Sequence, residues 1–81
     1  MSTAELEPEL VLDCRGMLCP RPIIELGRRI GEVSPGGTVA VLADDPAAAA
    51  DVPAWCRMRG QEYLGADTRG GVPAYLVRRV S

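Results

Sequence analysis

The chain has 81 residues, nine of them basic and eleven acidic, for a formal net charge of -2. That length builds one small domain around a single core and excludes two, and the mild acidity gives no reason to expect a polyanionic partner. Every basic residue is arginine and histidine is absent, so Cys-His pairs, Ser-His pairs and histidine-containing zinc sites are excluded.

Residues 1–8 read as a flexible acidic tail without the apolar stretch of a signal peptide, and residues 9–81 as one domain. No run approaches the roughly 18 apolar residues needed to span a bilayer, so a cytoplasmic protein without membrane contact is expected. Leu10-Val11-Leu12 predicts a short buried strand closed by Asp13, and Cys14 to Leu18 a loop around Gly16. A helix is predicted from Pro20 to about Val33, because Ile23, Leu26, Ile30 and Val33 recur three and four apart. Ser34-Pro35-Gly36-Gly37 ends it, and Thr38 to Ala43 is the clearest strand.

Asp44-Asp45-Pro46 introduces a second helix, from about Ala47 to Arg59. Pro53 leaves two readings of its start: a helix from Ala47 that bends near Pro53, or one capped by Asp51. Glu62 to Ala66 and Val72 to Val77 are two strands joined as a hairpin across Thr68-Arg69-Gly70-Gly71. The order βαβαββ predicts an α/β (α+β) two-layer sandwich, a mixed four-stranded sheet with two helices on one face and a less covered opposite face. With no phenylalanine, two tyrosines and one tryptophan, its core must be mostly aliphatic.

Chemistry concentrates at the first strand-to-helix junction. Cys19 precedes Pro20-Arg21-Pro22, and proline suits the first helical turn, so Pro20 reads as the first helical residue and Cys19 as the N-cap. A thiolate there faces the positive end of the helix dipole and the N–H of Arg21, which lowers its pKa below the free value of about 8.5. The two prolines stiffen the turn, which suits handing a group to a second thiol. Arg15 and Arg21 are candidate anion partners, whereas Asp13 fits bracing the loop through Arg15 or loop N–H groups better than sitting beside a thiolate. Cys14, Cys56 and Trp55 read as core residues. Three cysteines without Cys-x-x-Cys spacing argue against a disulfide framework and a metal site, and no cofactor is expected.

The stretch Asp13-Cys14-Arg15-Gly16-Met17-Leu18-Cys19-Pro20-Arg21-Pro22 resembles the signature of the TusA/SirA family of small sulfur-carrier proteins. Val39 to Pro46, Asp51 to Arg57 and Gly60-Gln61-Glu62 carry the likeness across nearly the whole chain, although many relatives have histidine where this chain has Gln61. The resemblance implies a TusA-like βαβαββ domain in which Cys19 carries a persulfide, with Asp13, Arg15, Pro20, Arg21 and Pro22 supporting it. It implies a cysteine desulfurase or rhodanese as sulfur donor and a downstream sulfur-accepting protein, in a relay leading to tRNA thiolation, a molybdenum cofactor or sulfur oxidation.

Two other readings fit the residues. One is a redox thiol protein in which Cys19 and Cys14 form a reversible disulfide. The other is a non-catalytic regulatory interaction module using the less covered sheet face. Direct nucleic-acid binding is not expected, because the arginines are dispersed and aromatic residues are scarce on the strands.

Overall fold

The computed structural model of the chain describes residues 8–18 and 20–80. Strands β1 (Leu10–Asp13), β2 (Thr38–Leu42), β3 (Glu62–Arg69) and β4 (Val72–Arg78) form one sheet in the order β1-β2-β4-β3. Helix α1 (Arg21–Arg29) follows β1 and helix α2 (Ala48–Arg59) follows β2, giving the expected βαβαββ order. β1 pairs parallel to β2, and the other two pairings are antiparallel, so the sheet is mixed.

Side chains alternate across a strand, and the core cluster on the helix-covered face takes every second strand residue. Leu12, Val39, Val41, Tyr75 and Val77 share one cluster with Leu26 and Val33 from the α1 side and Val52, Trp55 and Cys56 from α2. Both helices therefore cover the same sheet face. The intervening residues Ala40 and Leu76 belong to the opposite face, yet Ala40 is fully buried and Leu76 only 1% exposed. That face is less open than its lack of helices suggests, and its exposed apolar side chain is Val11, on edge strand β1.

Helix α1 is shorter than its periodicity predicts. Regular helix ends at Arg29, and Ile30–Glu32 continue as a 3-10 turn. The tighter turn still delivers Val33 to the core at 1% exposure. On the outer side, Arg28 pairs with Glu25 at 2.9 Å and Arg29 with Glu32 at 3.0 Å.

The start of α2 resolves the two readings left by Pro53. Ala47 is the N-cap, and Pro53 lies inside the helix. Asp51 does not cap, because its own N–H already donates to the Ala47 carbonyl at 3.0 Å. The helix starts early because a turn forces it: Asp45 Oδ1 accepts the Ala47 N–H at 3.0 Å, and the Asp45 carbonyl accepts that of Ala48 at 3.0 Å.

β3 and β4 are longer than expected, leaving only Gly70 and Gly71 between them. Both have positive φ, 59° and 78°, which a two-residue turn of the I′ kind requires and which glycine adopts without a Cβ clash. Register shifts between Tyr63 and Gly65, so the hairpin carries an irregularity that alternation alone does not reveal.

Two outcomes test this core. Leu26 is fully buried while Ile24 on the same helix is 53% exposed. Leu26→Ala should lower unfolding free energy by about 2–5 kcal/mol in urea titration, and Ile24→Ala by less than about 1 kcal/mol. Burial pushes the Cys56 thiol up to about 11 from an ordinary value of 9.0. A group whose pKa is raised by folding holds its proton more tightly in the native state, so its stabilisation is complete below the unfolded value and lost as pH rises through the folded one. Between pH 9.0 and about 11 the native protein should lose stability relative to Cys56→Ala, read as a narrowing gap in thermal midpoint.

Candidate functional site at the β1–α1 junction

The loop after β1 is fixed at successive points by backbone bonds. The Cys14 N–H donates to the Leu42 carbonyl at 2.8 Å, extending the parallel pairing one residue past the strand. Met17 N–H then donates to the Cys14 carbonyl at 3.2 Å, and Arg21 N–H to the Leu18 carbonyl at 2.9 Å. Gly16, at φ 79°, lies in the left-handed region where a side chain would be strained, so the chain can reverse direction there.

Two carboxylates brace this loop. Asp13 and Arg15 form a two-pronged ion pair, Nε to Oδ1 at 2.7 Å and Nη2 to Oδ2 at 2.6 Å. The Arg15 N–H donates to Asp13 Oδ1 as well, at 3.3 Å. These hydrogen bonds hold the Asp13 carboxyl below its usual range and raise the Arg15 guanidinium above its own. The second brace is long-range: the Gly16 N–H donates to both carboxylate oxygens of Asp44, at 3.1 and 3.2 Å.

The helix entrance differs from the sequence expectation. Pro20, at φ -94° and ψ 17°, is the N-cap; α1 begins at Arg21 and holds Pro22 in its first two positions. The helix starts one residue late because the Leu18–Arg21 turn has closed first. Consequently the Arg21 N–H, expected to face a thiolate, is already donated to Leu18. Cys19, the expected N-cap and carrier, lies outside the described residues. Its neighbours Leu18, at 74% exposure, and Pro20 face solvent, whereas Pro22 is buried. Arg21 is exposed.

The other two thiols are in the core. Cys14 and Cys56 are each 1% exposed. Burial raises the Cys14 thiol, with the negative charges of Glu25 and Asp13 adding to the effect. Beside Pro20, a groove of about 270 Å³ runs along Ile23, Asp51, Ala54, Trp55 and Met58. A neighbouring groove of about 400 Å³ shares Ile23, Trp55 and Met58 and is flanked by Arg28 and Arg59. Trp55 is thus core on one side and groove wall on the other. Among the described residues, no group of three or more Cys, Asp or Glu side chains could hold a metal ion, and no helix is long and apolar enough to cross a membrane.

The structure thereby brings Asp13, Arg15 and Gly16 together with Asp44, a residue that the sequence marks only as part of the turn into the second helix and of the family-like stretch Val39 to Pro46. Its partner lies 28 positions away, and no local pattern signals such a pair.

Comparison with solved structures supports the fold. A SirA-like protein from Desulfitobacterium hafniense superimposes with a TM-score of 0.69 at 24% identity, over 89% of this chain and 99% of that one. The profile of the family described as sulfurtransferase TusA matches residues 10–79. That span contains the β1–α1 junction, both helices and all four strands, and the chain belongs to the TusA sulfurtransferase family.

Proposed function

We propose that this protein is a sulfur carrier that holds a persulfide on Cys19 and passes it to an acceptor protein. The observation that supports this most directly is the segregation of the thiols. Cys14 and Cys56 are withdrawn into the core with raised pKa values, which leaves Cys19 as the thiol for exchange in a chain of the TusA family.

The chemistry is two successive exchanges. The Cys19 thiolate attacks the outer sulfur of a donor persulfide R-S-SH, forming Cys19-S-SH and releasing R-S⁻. An acceptor thiolate then attacks the outer sulfur of Cys19-S-SH, taking that sulfur and restoring the Cys19 thiolate. The positive end of α1 begins two residues after Cys19 and favours the anionic form at each stage. Asp13 and Arg15 serve the loop by pairing with each other, and Pro20 and Pro22 limit its motion. A cysteine desulfurase or rhodanese fits the donor role. Its product stream, tRNA thiolation among the candidates, is set by the acceptor.

A disulfide between Cys14 and Cys19 has less support, because a resolving thiol must be reached and ionised, and Cys14 is neither exposed nor easily ionised.

Sodium tetrasulfide supplies a direct test: Cys19-S⁻ and S₄²⁻ give Cys19-S-S⁻ and S₃²⁻. Intact-mass spectrometry should show a gain of about 32 Da, one sulfur, in the native protein. Cys19→Ser should abolish the gain and Cys56→Ser should retain it. An unchanged native mass, or a gain that survives Cys19→Ser, overturns the proposal.

A further inference from the structure

From the contact between Asp44 and Gly16 we infer that Asp44 is a positioning residue for sulfur transfer, setting the conformation of the loop that presents Cys19. This rests on the carrier reading proposed above for Cys19.

The loop that leads to Cys19 is short, and its described part is tied at both ends. Cys14 is held to β2 through the Leu42 carbonyl, and the exit is closed by the Leu18–Arg21 turn. Between these ties the chain passes through Gly16, at φ 79°, and glycine has no Cβ to restrict it to that conformation. The Asp44 carboxylate accepts the Gly16 N–H with both oxygens, at 3.1 and 3.2 Å, and a bond to an ionised acceptor is stronger than a neutral one. It selects one conformation at the point where the loop is least restricted by its own backbone.

Asp44 is itself well anchored. Ala43, directly before it, is fully buried and donates its N–H to the Pro73 carbonyl at 3.2 Å, beyond the paired end of β2. Directly after it, the Asp45–Ala48 turn begins α2. The carboxylate therefore projects from a segment fixed to β4 on one side and to α2 on the other. Both Asp44 and Gly16 are exposed, so the contact adds little to the core. Its consequence is local: Met17 and Leu18, the described residues that follow, inherit a fixed origin, and on the carrier reading a sulfur exchange beyond them needs less ordering.

The Asp44→Asn and Asp44→Ala variants separate the hydrogen bond from the charge, because asparagine keeps an acceptor oxygen for the Gly16 N–H. Three measurements on the full chain are needed: Gly16 amide exchange by NMR, the pH–rate profile of Cys19 alkylation by iodoacetamide, and the rate of sulfur uptake from tetrasulfide. Asp44→Ala should speed Gly16 exchange by about tenfold while distant core amides keep their protection. It should also change the limiting Cys19 rate or profile midpoint and slow sulfur uptake by about fivefold. Asp44→Asn should stay close to the native protein in all three.

Native-like alkylation and uptake in Asp44→Ala would overturn the inference, as would an Asn variant that fails as fully as the alanine. If native Cys19 took up no sulfur, the carrier reading would fail, while Gly16 exchange and the alkylation profile would still decide whether Asp44 sets this loop.

Discussion

The arrangement depends on the parallel, in-register pairing of β1 with β2. Because the two strands run the same way, they end side by side, with Asp13 opposite Leu42 and the Cys14 N–H on the Leu42 carbonyl. A parallel pair cannot be closed by a hairpin, so a crossover helix is required, and α1 must start at the edge where β2 ends. Both strand-to-helix loops consequently meet at one end of the sheet. The Asp44–Gly16 contact, the Asp13–Arg15 pair and the grooves between α1 and α2 are products of that one register.

Electrostatics at the junction are more frugal than its arginines suggest. Arg15 is neutralised by Asp13, and the Arg21 N–H is spent on the Leu18 carbonyl. Pro20 and Pro22 have no N–H to offer. Among the described residues, what is left to favour an anion is the exposed side chain of Arg21 and the dipole of a nine-residue helix, a modest influence compared with a dedicated base or a ring of donors. Such a junction suits a thiol whose reaction is completed by the partner that approaches it. Apolar surface lies beside it, in exposed Leu18 and the Ile23–Trp55–Met58 groove walls.

Much of the fold was legible because its signals are local and periodic. The continuous apolar run from Thr38 to Ala43 named β2, and the three-and-four spacing of Ile23, Leu26, Ile30 and Val33 named both α1 and its buried side. Errors fell at element ends, where backbone hydrogen bonds decide and side-chain pattern is silent. Regular helix stops at Arg29 although apolar spacing runs to Val33, and α1 starts after Pro20 because a preceding turn captures its first donor. The Asp13–Arg15 pair could be anticipated from residues two apart. The Asp44–Gly16 contact could not, because it joins residues 28 positions apart that only the register of β1 on β2 brings together.

Three thiols in so small a chain pose a selectivity problem for any sulfur carrier, since a persulfide can pass to any thiolate within reach. The strand pleat bears directly on it. Leu12 and Cys14 fall on the same side of β1 and its extension, and that side is the core. The intervening Asp13 is turned outward, where its carboxylate meets Arg15. One alternation thus withdraws the Cys14 thiol into the core and supplies the brace for the loop that leads to Cys19. Moving Cys14 by a single position would expose the thiol and bury the carboxylate, undoing both at once.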